Sequence, residues 1–216
     1  MKNIIFIAPP AAGKGTISDM LKNKYKYEHI STGDLLRNID KNSELGKKVD
    51  DLISKGQFVP DDVVMKLLSN CLTEIGKNKN FILDGCPRNM QQVNLLVDVF
   101  DKLRIDKYVV IYLEIDYVKA MERTLGRLLC PNCKKGYNEF NEELKPKVDG
   151  ICDICGSTLI KRSDDTEETF KIRYETYLKE TKPVVDYFKV INKLKVIEAD
   201  DEPQNILRKI ERIIEV

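Results

Sequence analysis

The segment APPAAGKGT, Ala8 to Thr16, ends in Gly13-Lys14-Gly15-Thr16. Between a strand and a helix, a loop with this ending turns the backbone N–H groups of those four residues toward a phosphate, at the positive end of the helix. Lys14 adds a mobile charge for the outer phosphates, and the Thr16 hydroxyl suits Mg²⁺. The pattern asks for Gly at its first position, where this chain carries Ala8. Because a left-handed residue other than Gly costs roughly 1–2 kcal/mol, an unstrained cradle requires Ala8 and Ala11 to hold negative φ.

A second group sits in FILDGCPR, residues 81 to 88. Asp84 ends an apolar run, where a carboxylate either holds Mg²⁺ beside a phosphate or caps the following helix. Of the 36 basic residues only nine are Arg, at 37, 88, 104, 123, 127, 162, 173, 208 and 212. Arg grips phosphate with a planar two-point fork that Lys lacks, so its sparing use singles these positions out. Arg123 and Arg127, four apart, are expected to share a helix face. Arg104, Arg208 and Arg212 read as solvated surface.

Cys130, Cys133, Cys152 and Cys155 form C-x2-C-x18-C-x2-C, the spacing of a zinc ribbon. Four thiolates fill a tetrahedral shell and leave no open position, so the metal is expected to be structural Zn²⁺, with Fe the other metal such a set holds. A flap of roughly 35 residues needs such a staple because it cannot bury a core of its own. Cys71 and Cys86 remain as isolated thiols.

The elements that must position these groups alternate. Apolar, β-branched runs at 3–8, 28–30, 81–83, 108–113 and 194–197 predict strands. Helical stretches are expected at 14–23, 34–39, 45–54, 61–75, 90–103, 117–127, 167–188 and 203–215. Strand alternating with helix argues for an α/β fold with a parallel sheet covered on both faces and ligands at the carboxyl ends of its strands. Residues 31–60 and 128–164 interrupt the alternation as excursions from that core.

At 216 residues and 42% hydrophobic the chain can bury one substantial core. Lys plus Arg at 36 against 35 for Asp plus Glu argues against a broad nucleic-acid surface, so an anionic ligand must be met locally. The opening MKNIIFIAPP holds about five consecutive apolar residues, too few for a signal or a span, which leads us to expect a cytoplasmic protein without membrane contact.

Together APPAAGKGT, HISTGDLLR, KGQFVPDD, FILDGCPRNMQQ, ERTLGR and RSDDTEETFKIR, in that order and spacing, resemble the adenylate kinase family of P-loop nucleoside monophosphate kinases. The resemblance implies a P-loop NTPase-type core with a five-stranded parallel sheet flanked by helices. It implies core segments at 1–30, 61–127 and 165–216, an NMP-binding clamp at 31–60 and a zinc-binding lid at 128–164. It also implies a monomer using ATP, AMP and ADP, with Mg²⁺ accompanying ATP. On ATP it sets Ala11, Ala12, Gly13, Lys14, Gly15, Thr16, Arg123 and Arg127. On AMP it sets Thr32, Arg37, Gln57, Phe58, Val59, Gly85, Arg88, Gln92, Arg162 and Arg173, with Arg37 on the phosphate and Gln92 reading adenine. Lys14, Asp84, Arg88, Arg123, Arg162 and Arg173 become the catalytic set. The family usually has Gly at positions 8 and 11, Phe or Tyr at Cys86 and Thr at Asn89.

The phosphate oxygen of the acceptor is already an anion, so no general base is required, in keeping with a chain whose single histidine, His29, reads as structural. Three rival readings stay beside this one: a kinase for UMP or CMP or with GTP as donor, a nucleotide-binding regulator weakened at Ala8 and Ala11, and a zinc-ribbon module for nucleic acid.

Overall fold

A computed structural model describes residues 1–76 and 79–215. Positions 77, 78 and 216, which belong to the expected core segments, lie outside the described residues.

Five strands, β1 (Asn3–Ile7), β2 (Glu28–Ser31), β3 (Phe81–Asp84), β4 (Tyr108–Glu114) and β7 (Leu194–Glu198), form a parallel sheet in the order β2-β3-β1-β4-β7. The fold class is the expected one. β1 is central, with Ile4, Ile5, Phe6 and Ile7 at most 2% exposed, which is why its sequence is continuously apolar rather than alternating. Its side chains divide between two cores: Ile4 and Phe6 join Ile17, Leu21, Ile111 and Ile210 on one face, while Ile5 and Ile7 join Leu68, Leu83, Val93 and Val184 on the other. α1 (Lys14–Tyr25) and α9 (Pro203–Ile214) cover the first face; α4 (Asp61–Ile75), α5 (Met90–Leu103) and α8 (Lys182–Val190) cover the second. β2 and β3 lie to one side of β1, β4 and β7 to the other, so the loop after β1 opens at the point where the connections diverge.

Two parts of the chain stand outside these cores. α2 (Thr32–Arg37) and α3 (Glu44–Ser54) pack on a small cluster of Val49, Val59 and Val64. Beyond α6 (Tyr117–Leu125), β5 (Arg127–Leu129) and β6 (Gly136–Asn138) make an antiparallel pair whose satellite core is Leu128, Cys130, Tyr137, Cys152 and Leu159.

The structure corrects two expectations of local geometry. Arg123 and Arg127 do not share a helix face: α6 ends at Leu125, Gly126 caps it, and Arg127 opens β5 opposite Asn138. A Cβ at position 126 would fall 2.6 Å from the Phe140 ring and 2.7 Å from Asn138 Oδ1, so Gly lets these side chains approach the helix end closely. The helix expected at 167–188 is α7 (Glu167–Thr176), a π turn (Tyr177–Thr181) and α8. Pro183 in the first turn of α8 supplies no N–H, so the regular ladder cannot run through it and the winding widens just before.

Candidate functional site

The phosphate loop leaves β1 and enters α1 through Gly13, whose φ of 89° is left-handed. No side chain caps α1 and its first turn carries no acidic residue, so the field of the helix N-terminus is left for a ligand. Ala8 keeps ordinary backbone geometry, but Ala11 takes a φ of 57°. The condition for an unstrained cradle thus fails at Ala11, which bears the roughly 1–2 kcal/mol of a Cβ in the left-handed region.

Asp84 faces this loop from the carboxyl end of β3, with its Oδ1 3.9 Å from Lys14 Nζ. Burial drives the Asp84 pKa upward, yet Lys14, a contact with His29 and the charge of Arg88 outweigh it and hold the carboxyl below its ordinary value. Burial also lowers the Lys14 pKa, against the pull of Asp84. His29 sits with Nε2 3.6 Å from Asp84 Oδ2. The sequence treats it only as a structural residue at a strand end; the pairing of β2 with β3, which sets His29 beside Ile82 and Ser31 beside Asp84, brings it to the site.

On the other side of Asp84 the chain turns through Gly85 at φ 89°. A Cβ there would lie 2.5 Å from Thr32 Oγ1 and 2.9 Å from Arg88 Nη2, so only Gly permits both neighbours. Arg88 is fixed from several directions: its Nε donates to Gly85 O at 2.6 Å, its N–H to Gln92 Oε1 at 2.7 Å, and its carbonyl accepts from Thr181 Oγ1 at 2.8 Å. The Phe58 ring lies 5.6 Å from the Arg88 guanidinium carbon, within cation–π range. Thr32 Oγ1 donates to Asp84 O at 3.2 Å.

One cavity of about 430 Å³ gathers these groups. Every residue the sequence reading assigned to nucleotide binding or catalysis lines it, from the loop at 11–16 through Thr32, Gln57, Phe58, Val59, Asp84, Gly85 and Gln92. Six arginines do so as well, at 37, 88, 123, 127, 162 and 173, and none of the three read as surface. Such a concentration of like charge is costly without counter-ions. Burial and the neighbouring Arg127 push Arg173 down to about 10, and burial with Arg127 and Arg37 lowers Arg162. Partial relief comes from two acids. Asp164 contacts Arg37 and Arg173, and Asp165 accepts from Arg127 Nε at 2.7 Å and again from its Nη2. The arrangement can bind and neutralise a polyphosphate. The sequence reading missed Asp61, which accepts from Gln92 Nε2; a helix-opening Asp carries no local sign of that use.

The four cysteine sulfurs lie within 4.8 Å of one another, with Cys130 to Cys155 at 3.4 Å and Cys133 to Cys152 at 3.5 Å. Tetrahedral thiolates about a Zn²⁺ at 2.3 Å would stand about 3.8 Å apart, so this set fits the ion with small adjustment. None of the four is in a disulfide. Tyr137 OH approaches Cys152 Sγ at 3.4 Å and accepts from Asp153 N at 2.8 Å, giving the cluster an outer hydrogen-bonded layer.

No helix among the described residues is long and apolar enough to cross a membrane.

The family model for adenylate kinase matches residues 6–193. An adenylate kinase of Thermosipho africanus is 39% identical over 213 residues, covering 98% of this chain and 99% of that protein. One from Borreliella burgdorferi is 38% identical over 98% of this chain and 97% of its own, and one from a Hydrogenobaculum species 36% identical over 98% and 99%.

Proposed function

This chain belongs to the adenylate kinase family and is a phosphotransferase, and from that premise we propose that it transfers a phosphoryl group reversibly between ATP and AMP, giving two ADP. The observation that carries the reading is the convergence of Lys14, the N-terminus of α1 and six arginines on one cavity, with an anionic Asp84 at its floor.

In this reading ATP enters over the phosphate loop. The first-turn N–H groups and Lys14 take its phosphates, with Arg123 and Arg127 on the donor side. AMP lies between α2 and the turn after β3, its phosphate on Arg37 and Arg88, its base near Gln92 and the backbone of residues 57–59. Arg162 and Arg173 reach the transferred group from the third side. Transfer needs in-line placement and charge neutralisation more than proton abstraction, which is what a cavity rich in arginine provides. Thr16 and Asp84, both lining the cavity, would hold Mg²⁺, which would supply positive charge to the phosphates. Residues 31–60 serve as the acceptor clamp and 128–164 as a Zn²⁺-stapled lid; the lid's small separate core supports motion apart from the sheet, while the clamp shares its cluster with Val64 of α4. Closure excludes water, which otherwise competes as acceptor. We take the working unit to be a monomer in the cytoplasm.

Initial rates of ADP formation with AMP, CMP and UMP, repeated with Lys14→Met, test this directly. AMP is expected to be strongly preferred and the variant to lose turnover; a UMP preference, or full activity without Lys14, would overturn the assignment.

A further inference from the structure

Gln92 is 2% exposed, lines the cavity, and has both ends of its amide engaged. Its Oε1 accepts from Arg88 N at 2.7 Å, and its Nε2 donates to Asp61 Oδ1 at 2.7 Å. Asp61, in the first turn of α4, is itself held: Asn89 Nδ2 donates to both of its oxygens at 3.1 Å. Asn89 caps α5 with its other end, accepting from Gln92 N at 2.7 Å. Asp61, Asn89 and Gln92 thus close a ring of hydrogen bonds across the start of two helices, and the Arg88 N–H adds a branch at Gln92.

The ring has one consequence that packing alone does not require. A carboxylate only accepts and a backbone N–H only donates. Turning the Gln92 amide over would set Nε2 against the Arg88 N–H, two donors, and Oε1 against Asp61, two acceptors. Only one orientation survives, and it leaves one hydrogen on Nε2 and one lone pair on Oε1 for a ligand.

Resting on the reading above, in which Gln92 meets the acceptor base, we propose that Asp61, held by Asn89, is a specificity-determining residue that locks the Gln92 amide to accept 6-aminopurine and reject 6-oxopurine nucleotides. A 6-aminopurine offers an acceptor at N1 beside a donor on N6, matching Nε2–H and Oε1. A 6-oxopurine offers N1–H beside O6, the same positions with donor and acceptor exchanged. It can be met only by the reversed amide, and Asp61 forbids that. Thr at position 89 would still cap α5 but has no amide to reach Asp61, so Asn89 is the part of the lock in which this chain departs from its family resemblance.

The test compares kcat/KM for AMP and for IMP, with ATP as donor, in the wild-type protein and in Asp61→Asn, Asn89→Thr and Gln92→Ala. An Asn at 61 offers Gln92 either a donor or an acceptor, so the lock opens without loss of volume. Wild-type protein is expected to favour AMP. Asp61→Asn should narrow the AMP:IMP ratio roughly ten- to a hundredfold, the range set by one unpaired buried polar group, mainly by raising the IMP rate. Asn89→Thr should narrow it less in the same direction, and it reads the lock should Asp61→Asn fail to fold. A role confined to stability would lower both rates together and leave the ratio alone. An unchanged ratio in both variants, with Gln92→Ala narrowing it, overturns the lock and leaves the site reading intact. An unchanged ratio in Gln92→Ala as well overturns both.

Discussion

Arg37 of α2 and Arg173 of α7, separated by most of the chain, meet on a single atom: Asp164 Oδ2 lies 3.2 Å from Arg37 Nη2 and 3.4 Å from Arg173 Nη1. With Asp165 on Arg127, two adjacent carboxylates gather three of the six cavity arginines from three separate elements.

Removing that shared carboxylate should destabilise the fold in a pH-dependent way. Burial raises the Asp164 pKa, but Arg37, Arg173 and Arg127 outweigh it and hold the carboxyl below its ordinary value. A depressed folded pKa gives stability that is complete above the unfolded value of about 3.9 and is lost as pH falls through the lower folded one. Asp164→Asn should therefore lower the melting temperature by several degrees at pH 7, a loss of about 1–3 kcal/mol. The gap between variant and wild type should close below about pH 4. A gap of the same size at pH 3 and pH 7 would show that charge is not what the residue contributes.

The strained alanine gives a prediction of opposite sign. At φ 57° Ala11 bears a local cost that Gly does not, while Gly gives the unfolded chain more freedom, worth about 0.4–1 kcal/mol against it. The balance favours Ala11→Gly by about 0.5–1 kcal/mol, a rise of about 1–4 °C on thermal unfolding. A fall in melting temperature would mean the loop holds Ala11 for reasons other than its backbone.

Gly85→Ala addresses the acceptor side alone. Its Cβ would push Thr32 from 2.5 Å and Arg88 from 2.9 Å, at a φ of 89° that disfavours any side chain. We expect KM for AMP to rise at least about tenfold while ATP binding, measured by calorimetry, stays within about twofold; a displacement of the order of 1 Å is enough for such a loss. Equal weakening of both nucleotides would contradict a separate acceptor seat.

Metal removal should unfold one region and spare the rest. The satellite core around the cysteines has only Leu128, Cys130, Tyr137, Cys152 and Leu159, too little to offset the entropy of ordering some 35 residues. Native protein should carry one Zn²⁺, and chelation or Cys133→Ser should speed amide exchange across residues 128–164 with little change in β1, β3 and β4. Retained protection in the metal-free protein would show that the lid folds unaided.

Much of this molecule could be read in order along the chain. Continuous apolar runs marked the buried strands, Gly13-Lys14-Gly15-Thr16 marked the loop that follows one of them, and the two C-x2-C pairs marked their own cluster, because each of these signals is carried by a short local run of residue types. The rarity of Arg against Lys drew notice to all nine arginines, and the family resemblance divided them into the six that line the cavity and the three that do not. What tertiary structure alone decided lies across long separations or in backbone detail. Arg37 reaches Asp164 over 127 positions, and Gln92 reaches Asp61 over 31. His29 meets Asp84 only through the register of β2 on β3. Arg127 lies past the end of its helix in a strand, and Ala11 takes φ 57°, neither of which is written in the local sequence. Periodicity and motif report what a residue does to its neighbours along the chain. Which distant charge it meets, and at what φ, is settled only when the sheet packs and every connection has to fit it.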